Sequence, residues 1–111
     1  MKTKYWRYFI ISIALCDDEQ LYLSFYEEKI KKLAEKMGVM IEVLKFNRGE
    51  SLLFFMEDHP TKIDVLYLDI LMQTTHGIDV AEKVSRYNPL IDIIFLTTSE
   101  QYVYDAFKVA P

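Results

Sequence analysis

The stretch Ile63-Asp64-Val65-Leu66-Tyr67-Leu68-Asp69, continued by Ile70-Leu71-Met72, is the part of the sequence that decides the fold. Residues 65–68 form an almost unbroken apolar run of residues that favour strands. Such a run predicts a strand buried on both faces, as in a parallel sheet covered by helices. Asp69 ends the run, and a carboxylate without a partner is costly to bury. We therefore expect Asp69 at the carboxyl edge of the sheet, where open α/β sheets place their chemistry.

The composition indicates one globular domain. The chain has 111 residues, enough for a single core, and its 51% hydrophobic and 14% aromatic content excludes intrinsic disorder. A formal net charge of −4 argues against direct nucleic-acid binding, because nucleic-acid modules usually carry a basic face. The single cysteine, Cys16, cannot form an internal disulfide and fits a reducing cytoplasm.

The N-terminus superficially resembles a signal peptide, because basic residues precede an apolar run that ends at Cys16. Leu15 is too large for the residue before a cleavage site, and three acidic residues follow Cys16 directly. The run is also too short to span a bilayer. We therefore expect a cytoplasmic protein with no membrane partner, in which residues 1–8 are an N-terminal extension and residues 9–111 form the domain.

Strand and helix patterns alternate along the whole chain. Strands are predicted at residues 9–16, 39–46, 63–69 and 90–97. Each is followed by a helical pattern with its own start or stop signals, which are Gly38, an Asn47–Glu50 capping box, Pro60, Asn88-Pro89 and a Thr98–Gln101 capping box. Strict alternation predicts an α/β fold with a doubly wound parallel sheet and right-handed crossovers.

Acidic and hydroxyl side chains follow three of the predicted strands. Asp17 and Asp18 end the first strand, Asp69 ends the third, and Thr97-Thr98 ends the fourth. Any one acid alone reads equally well as a turn residue or a helix cap. Because the carboxyl ends of parallel strands share one edge, the three carboxylates should meet there and raise one another's pKa. A hard divalent cation with oxygen ligands resolves this repulsion, and Mg²⁺ suits such a site.

Three motifs together resemble the receiver domain of bacterial two-component response regulators. They are Ala14-Leu15-Cys16-Asp17-Asp18-Glu19, Leu68-Asp69-Ile70-Leu71-Met72 with Gly77, and Phe95-Leu96-Thr97-Thr98. The resemblance runs from about Ile11 to the end and implies a flavodoxin-like architecture. It implies that Asp69 is the phosphoacceptor and that Asp18 and Asp69 bind Mg²⁺ directly. Asp17 would act through a bound water, and the backbone carbonyl of Leu71 would complete the protein ligands.

The same resemblance implies a signalling phosphoprotein rather than an enzyme. A sensor histidine kinase would donate the phosphoryl group, Thr97 would be the switch hydroxyl, and Thr98 a further phosphoryl contact. The stretches 96–102 and 106–109 look most like receivers joined to LytTR-type DNA-binding domains. This implies phosphorelay signal transduction to a transcription-regulating output domain outside this chain.

Two departures from the family pattern stand out. Gln73 occupies a position that is commonly proline in receivers. The fifth strand with its lysine, and the fifth helix, should follow Pro111, so we expect a C-terminally incomplete receiver; Lys108 falls within the fourth predicted helix. The fourth strand would then have one open edge, from which we expect self-association.

Other functions fit less well. A haloacid-dehalogenase-like phosphatase needs a second aspartate at the position of Leu71. A flavin carrier of similar architecture is disfavoured because the acidic loop after the first strand would repel a flavin phosphate. The remaining alternative is a receiver-like protein-interaction module that no longer signals by phosphate. His76 is close enough to the site in sequence to tune it, but a solvated loop residue is the favoured interpretation.

Overall fold

The computed structural model describes residues 9–72 and 75–96. Within them the chain runs β1 (Ile11–Cys16), α1 (Gln20–Met37), β2 (Ile41–Phe46), α2 (Gly49–Asp58), β3 (Val65–Asp69), α3 (Gly77–Tyr87) and β4 (Asp92–Leu96). The N-terminal extension, Gln73, Thr97, Thr98 and the last predicted helix lie outside the described residues.

The strands form one sheet in the order β2-β1-β3-β4, and every neighbouring pair is parallel. The predicted doubly wound α/β sheet is therefore confirmed. The order reverses between β1 and β3, so the chain leaves these two neighbouring strands toward opposite faces. In open α/β sheets a crevice forms outside the carboxyl ends at that point.

The two faces of the sheet are covered by different helices. Side chains of β1 alternate, with Ala14 and Cys16 in the core under α2 and α3, and Ile13 and Leu15 in the core under α1. The buried residues of the first core are Ala14, Cys16, Leu52, Met56, Ile63, Leu66, Leu68, Met72, Val80, Ala81, Val84 and Ile91. The buried residues of the second core are Ile13, Leu15 and Leu23. This two-sided burial fixes β1 and β3, and with them the acidic residues at their ends.

Helix α1 ends where the sequence predicts. Gly38 has φ +67°, and its N–H donates to the carbonyls of the last turn. A left-handed residue at this position favours glycine because it has no Cβ to clash. Glu27 of the same helix forms an ion pair with Lys31 at 2.8 Å and a second one with Lys45 of β2 at 2.7 Å. These contacts hold the end of β2 against α1.

One local prediction is wrong. The capping box of Asn47 and Glu50 does not form, because α2 begins at Gly49 with Arg48 as its N-cap residue and no side-chain cap. The carboxylate of Glu50 accepts a hydrogen bond from Thr75 instead. Within the described residues, β4 pairs with β3 alone, and Ile94 on this strand is 41% exposed.

Across residues 9–72 and 75–96, no helix combines the length and apolar character needed to cross a lipid bilayer.

Candidate functional site

The carboxyl ends of β1 and β3 bring three carboxylates together. Asp17 and Asp18 follow the last residue of β1, and Asp69 is the last residue of β3. One oxygen from each carboxylate lies within 4.8 Å of the other two. The parallel pairing of Cys16 with Leu68 sets this distance, since it aligns the ends of the two strands.

Asp17 is held in place by the backbone on either side of it. It is only 3% exposed, its N–H donates to the Phe46 carbonyl at 3.1 Å, and its Oδ1 accepts from the Glu19 N–H at 2.9 Å. Burial raises the pKa of Asp17, and the charge of Asp18 adds to the increase, while the bond from Glu19 opposes it. Ionised Asp17 is therefore costly in the absence of a cation.

Asp69 is half-buried, and its Oδ1 accepts a hydrogen bond from the Leu71 N–H at 3.2 Å. Burial raises the pKa of Asp69 to about 6, and the nearby Asp17 carboxylate contributes to the increase. Within the described residues, no lysine or arginine forms an ion pair with Asp17 or Asp69. Asp17 and Asp69 thus lie close together, with neither carboxylate in an ion pair with a basic side chain of these residues.

The loop after β3 folds back tightly on the strand end. The Gly77 N–H donates to the Ile70 carbonyl at 2.8 Å, and Leu71 forms an antiparallel bridge with His76. A Cβ on Gly77 would lie 2.4 Å from the Asp69 carbonyl oxygen, so only glycine fits there. This close packing of Gly77 against Asp69 fixes the backbone of Asp69 and therefore the position of its carboxylate.

His76 is not a free loop residue, and that prediction is wrong. It is the N-cap of α3, and its Nδ1 accepts a hydrogen bond from the Ile78 N–H at 3.2 Å. The signal was available in the sequence, because His76 stands just before the first residues of the helical pattern. Residues at that position often supply a side-chain acceptor to the first turn.

An open cleft of about 490 Å³ lies beside the carboxylates. Its lining residues are Asp17, Tyr22, Tyr26, Asp69, Leu71, Phe95 and Leu96. Tyr22 and Tyr26 of α1 are not among the residues that the sequence predicts at the site. Their i,i+4 spacing directly after the acidic loop was the signal that could have placed both on the site. Leu96, the last described residue of β4, accepts a hydrogen bond from the Ile70 N–H at 3.4 Å.

The donor set fits a hard cation. Carboxylates are the ligands that Mg²⁺ and Ca²⁺ prefer, whereas soft transition metals favour thiolate or imidazole. The nearby Cys16 does not change this, because burial raises the pKa of its thiol to about 12 and keeps it protonated. Its Sγ instead contacts Met72 Sδ at 3.8 Å.

Residues 13–110 match the family model of the response regulator receiver domain. The chain belongs to this family. The family explains the layout of the site, since receiver domains bind Mg²⁺ at an acidic pocket and are typically phosphorylated on an aspartate. They are signalling domains that interact with histidine kinases and phosphotransfer partners.

Relatives extend the comparison. An uncharacterised response regulatory protein of Vibrio cholerae is 32% identical over 94 residues, which are 85% of this receiver and 34% of that protein. The sensory transduction protein LytT of Bacillus subtilis is 26% identical over 100 residues, covering 90% of this chain and 39% of LytT. The chain therefore spans 34% and 39% of the length of these curated relatives.

A solved structure confirms the flavodoxin-like architecture. The BeF3-activated DrrB receiver domain superposes with a TM-score of 0.69 at 21% identity, covering 91% of this chain and 79% of that one. At this identity the likeness shows the fold alone.

Proposed function

We propose that this receiver accepts a phosphoryl group on Asp69, with Mg²⁺ bound by Asp17, Asp18, Asp69 and the backbone carbonyl of Leu71. Asp17 would act through a bound water. The observation that carries the proposal is the approach of the three carboxylates, whose ligand oxygens lie within 4.8 Å of one another at the ends of β1 and β3.

The bound cation would supply the positive charge that lets an anionic phosphoryl group approach an anionic carboxylate. The residues of the chain itself orient the ligands of that cation. Asp17 is held by Glu19 and Phe46, and Asp69 by Leu71, so the ligands are oriented before a cation arrives. Such preorganisation favours a cation that demands regular geometry.

The reaction is the attack of a carboxylate oxygen of Asp69 on phosphorus. An O–P bond forms as the bond between phosphorus and the donor breaks, and the donor leaves with the electron pair and takes up a proton. The product is an acyl phosphate on Asp69. The attacking carboxylate must be ionised, and with a pKa of about 6 Asp69 is mostly ionised at neutral pH even without a cation.

Signalling would follow as a shift between two conformations of the chain after β4. The new phosphoryl oxygens would attract the Thr97 hydroxyl, with Thr98 as a further contact, and rearrange the segment that follows. The partner we propose is a sensor histidine kinase, and the output a transcription-regulating domain outside this chain. The similarity to LytT supports a LytTR-type output.

Labelling with a small phosphodonor tests the proposal. Incubation with acetyl phosphate and Mg²⁺ should give an adduct on Asp69, mapped by mass spectrometry, that is stable in acid and labile in base. Asp69→Asn should carry no adduct, whereas Asp64→Asn, a matched change outside the site, should be labelled normally. An adduct on His76 would contradict the assignment. No adduct on a chain that binds Mg²⁺ would favour the interaction module.

We also propose a cytoplasmic receiver that self-associates through β4. Within the described residues β4 pairs on one side only, and Ile94 is 41% exposed on this strand. After Asp92, the run Ile93 to Leu96 has no charge or proline, and an unprotected edge of this kind favours pairing with a second copy. Sedimentation velocity should show association that rises with concentration and weakens in Ile94→Lys. A single monomer at all concentrations would contradict this.

A further inference from the structure

The loop after β3 is tied to the start of α2 by a hydrogen bond outside the acidic site. Thr75 Oγ1 donates to Glu50 Oε1 at 2.8 Å, and an Arg48 guanidinium nitrogen lies 3.6 Å from Glu50 Oε2. Glu50 is in the first turn of α2, and Thr75 lies two residues before α3. One side-chain contact therefore joins two segments that are 25 residues apart in sequence.

The backbone of α2 comes close enough to make this contact because Gly49 has no side chain. A Cβ on Gly49 would lie 2.7 Å from Val80 Cγ2 and 3.3 Å from Thr75 Cβ. Gly49 is fully buried beneath these two residues. The start of α2 thus packs directly on the segment that carries Thr75.

Thr75 is directly connected to the part of the loop that faces the carboxylates. The next residue, His76, bridges Leu71, and Gly77 donates to the Ile70 carbonyl and packs against the Asp69 carbonyl. Residues 75–77 therefore pack against residues 69–71 and hold their backbone in place. Leu71 in turn donates its N–H to Asp69 Oδ1.

We propose that Glu50 is a positioning residue of this site: by holding Thr75, it fixes the loop that presents the Leu71 carbonyl and the Asp69 carboxylate to the cation. The inference rests on the proposed function. Glu50 itself touches neither the cation nor the phosphoryl group. It acts through Thr75 and the bridge between His76 and Leu71.

We expect the hydrogen bond between Thr75 and Glu50 to affect the affinity for Mg²⁺ more than the stability of the fold. The side chain of Glu50 is 53% exposed, and exposed polar contacts contribute little to folding. Mg²⁺, in contrast, requires near-ideal octahedral geometry, so a small displacement of one ligand weakens its binding. Hydrogen bonds from the Glu50 backbone N–H and from Thr75 lower the pKa of Glu50, so at neutral pH it is an ionised acceptor.

The test measures Mg²⁺ affinity by calorimetry in paired variants of the whole chain. Thr75→Val removes the donor without changing charge, and Thr75→Ser retains it. Glu50→Ala removes the acceptor, and Glu50→Gln retains an acceptor without the charge. We expect Thr75→Val and Glu50→Ala to weaken binding about three- to tenfold, the size of one net hydrogen bond. Thr75→Ser and Glu50→Gln should stay near the wild-type affinity.

Two controls separate positioning from other effects. Glu57→Ala removes an exposed carboxylate from the far end of the same helix and should leave the affinity unchanged. The double variant Glu50→Ala/Thr75→Val should bind Mg²⁺ no more weakly than either single variant, since both remove the same contact. Thermal midpoints should differ little across the series, which a purely structural role would not produce.

A second readout needs no metal. Hydrogen exchange of the Gly77 amide, which is bonded to Ile70, should be faster in Thr75→Val than in Thr75→Ser in metal-free buffer. Wild-type affinity and exchange in both Thr75→Val and Glu50→Ala would overturn the inference, as would equal weakening in Glu57→Ala. Failure of the wild-type chain to bind Mg²⁺ would instead contradict the proposed function, while the exchange experiment still decides whether the contact holds the loop.

Discussion

Acidic residues at the two ends of the sheet have opposite surroundings. At the amino end, Ser12 Oγ donates to Glu42 at 2.9 Å, Lys62 pairs with Glu42 at 2.8 Å, and the Ser12 N–H donates to Asp64 at 2.8 Å. At the carboxyl end, Asp17 and Asp69 lie against one another. Lys62 and Ser12 lower the pKa of Glu42, whereas burial and Asp17 raise the pKa of Asp69.

The two ends of the sheet therefore have different roles: the polar contacts at the amino end stabilise the fold, whereas the carboxyl end holds the candidate functional site. At the amino end, Glu42 is paired with donors that lower its pKa, so its ionisation stabilises the folded chain. Acids at the carboxyl end repel one another, so their ionisation opposes folding until a cation binds. Perturbed carboxylates of the second kind are typical of functional sites. We therefore expect mutations of the acids at the two ends to change the free energy of unfolding in opposite directions.

The largest expected effect is at Gly77, behind Asp69. Gly77→Ala places a Cβ 2.4 Å from the Asp69 carbonyl oxygen and 2.6 Å from Ile70 Cα, and these backbone atoms cannot move aside. We expect the free energy of unfolding to fall by about 3 kcal/mol, at the upper end for overpacking. Urea denaturation measures it. Gly38→Ala, in open space with φ +67°, should cost less, about 1 kcal/mol. Equal losses at both glycines would contradict the tight packing behind Asp69.

The second prediction compares the two ends directly, in metal-free buffer at pH 7. The folded-state pKa of Asp69, about 6, is above its ordinary 3.8. Folded-state stability is therefore lost as pH rises through this interval. Asp69→Asn removes the ionisation, so we expect it to be more stable than wild type, by about 1 kcal/mol once solvent screening is allowed for.

The matched change at the amino end is Asp64→Ala. It removes the acceptor of the buried Ser12 N–H, so the variant should be less stable by about 1 kcal/mol. Urea denaturation of both variants measures the two changes in the free energy of unfolding, which should have opposite signs. A loss of stability in Asp69→Asn would mean that the carboxyl-end acids are compensated in the folded chain.

The smallest effect is expected at Glu42. Its pKa lies below the ordinary value of 4.5, so its contribution to stability is present at neutral pH and is lost as pH falls. Glu42→Gln should have a slightly lower thermal midpoint than wild type at pH 7. The difference should shrink as the pH is lowered below 4.5. A constant difference across the series would exclude the ion pair with Lys62 as its cause.

Much of this contrast follows from the sequence. Alternating patterns predict the doubly wound sheet, and acids after two buried strands predict the cluster of Asp17, Asp18 and Asp69. Helix stops such as Gly38 are also visible, because a left-handed cap has a strong residue preference. These features depend on local chemistry and on the general topology of parallel sheets.

The contacts between loops could not be predicted in the same way. The sequence indicates that Glu50 caps its own helix, whereas the structure gives its carboxylate to Thr75, because the helix begins one residue later than the motif requires. His76, for which the sequence favours a solvated loop, is a helix cap, and its position just before the helical pattern is a local signal for that role. Tyr22 and Tyr26 line the same cleft as Asp69, and only their i,i+4 spacing after the acidic loop was a signal for this. The contact between Glu50 and Thr75 depends on tertiary packing that residue patterns do not encode.

The most direct test of the central claim is the effect of Mg²⁺ on the thermal stability of three chains. A ligand that binds only the folded state stabilises it, by about 2.7 kcal/mol at a concentration one hundred times its Kd. We predict that Mg²⁺ raises the midpoint of the wild type and of Asp64→Ala equally. Mg²⁺ should leave the midpoint of Asp69→Asn unchanged, so that with Mg²⁺ the wild type becomes more stable than this variant. An equal rise in Asp69→Asn, or no rise in the wild type, would contradict a cation site at the carboxyl end of the sheet.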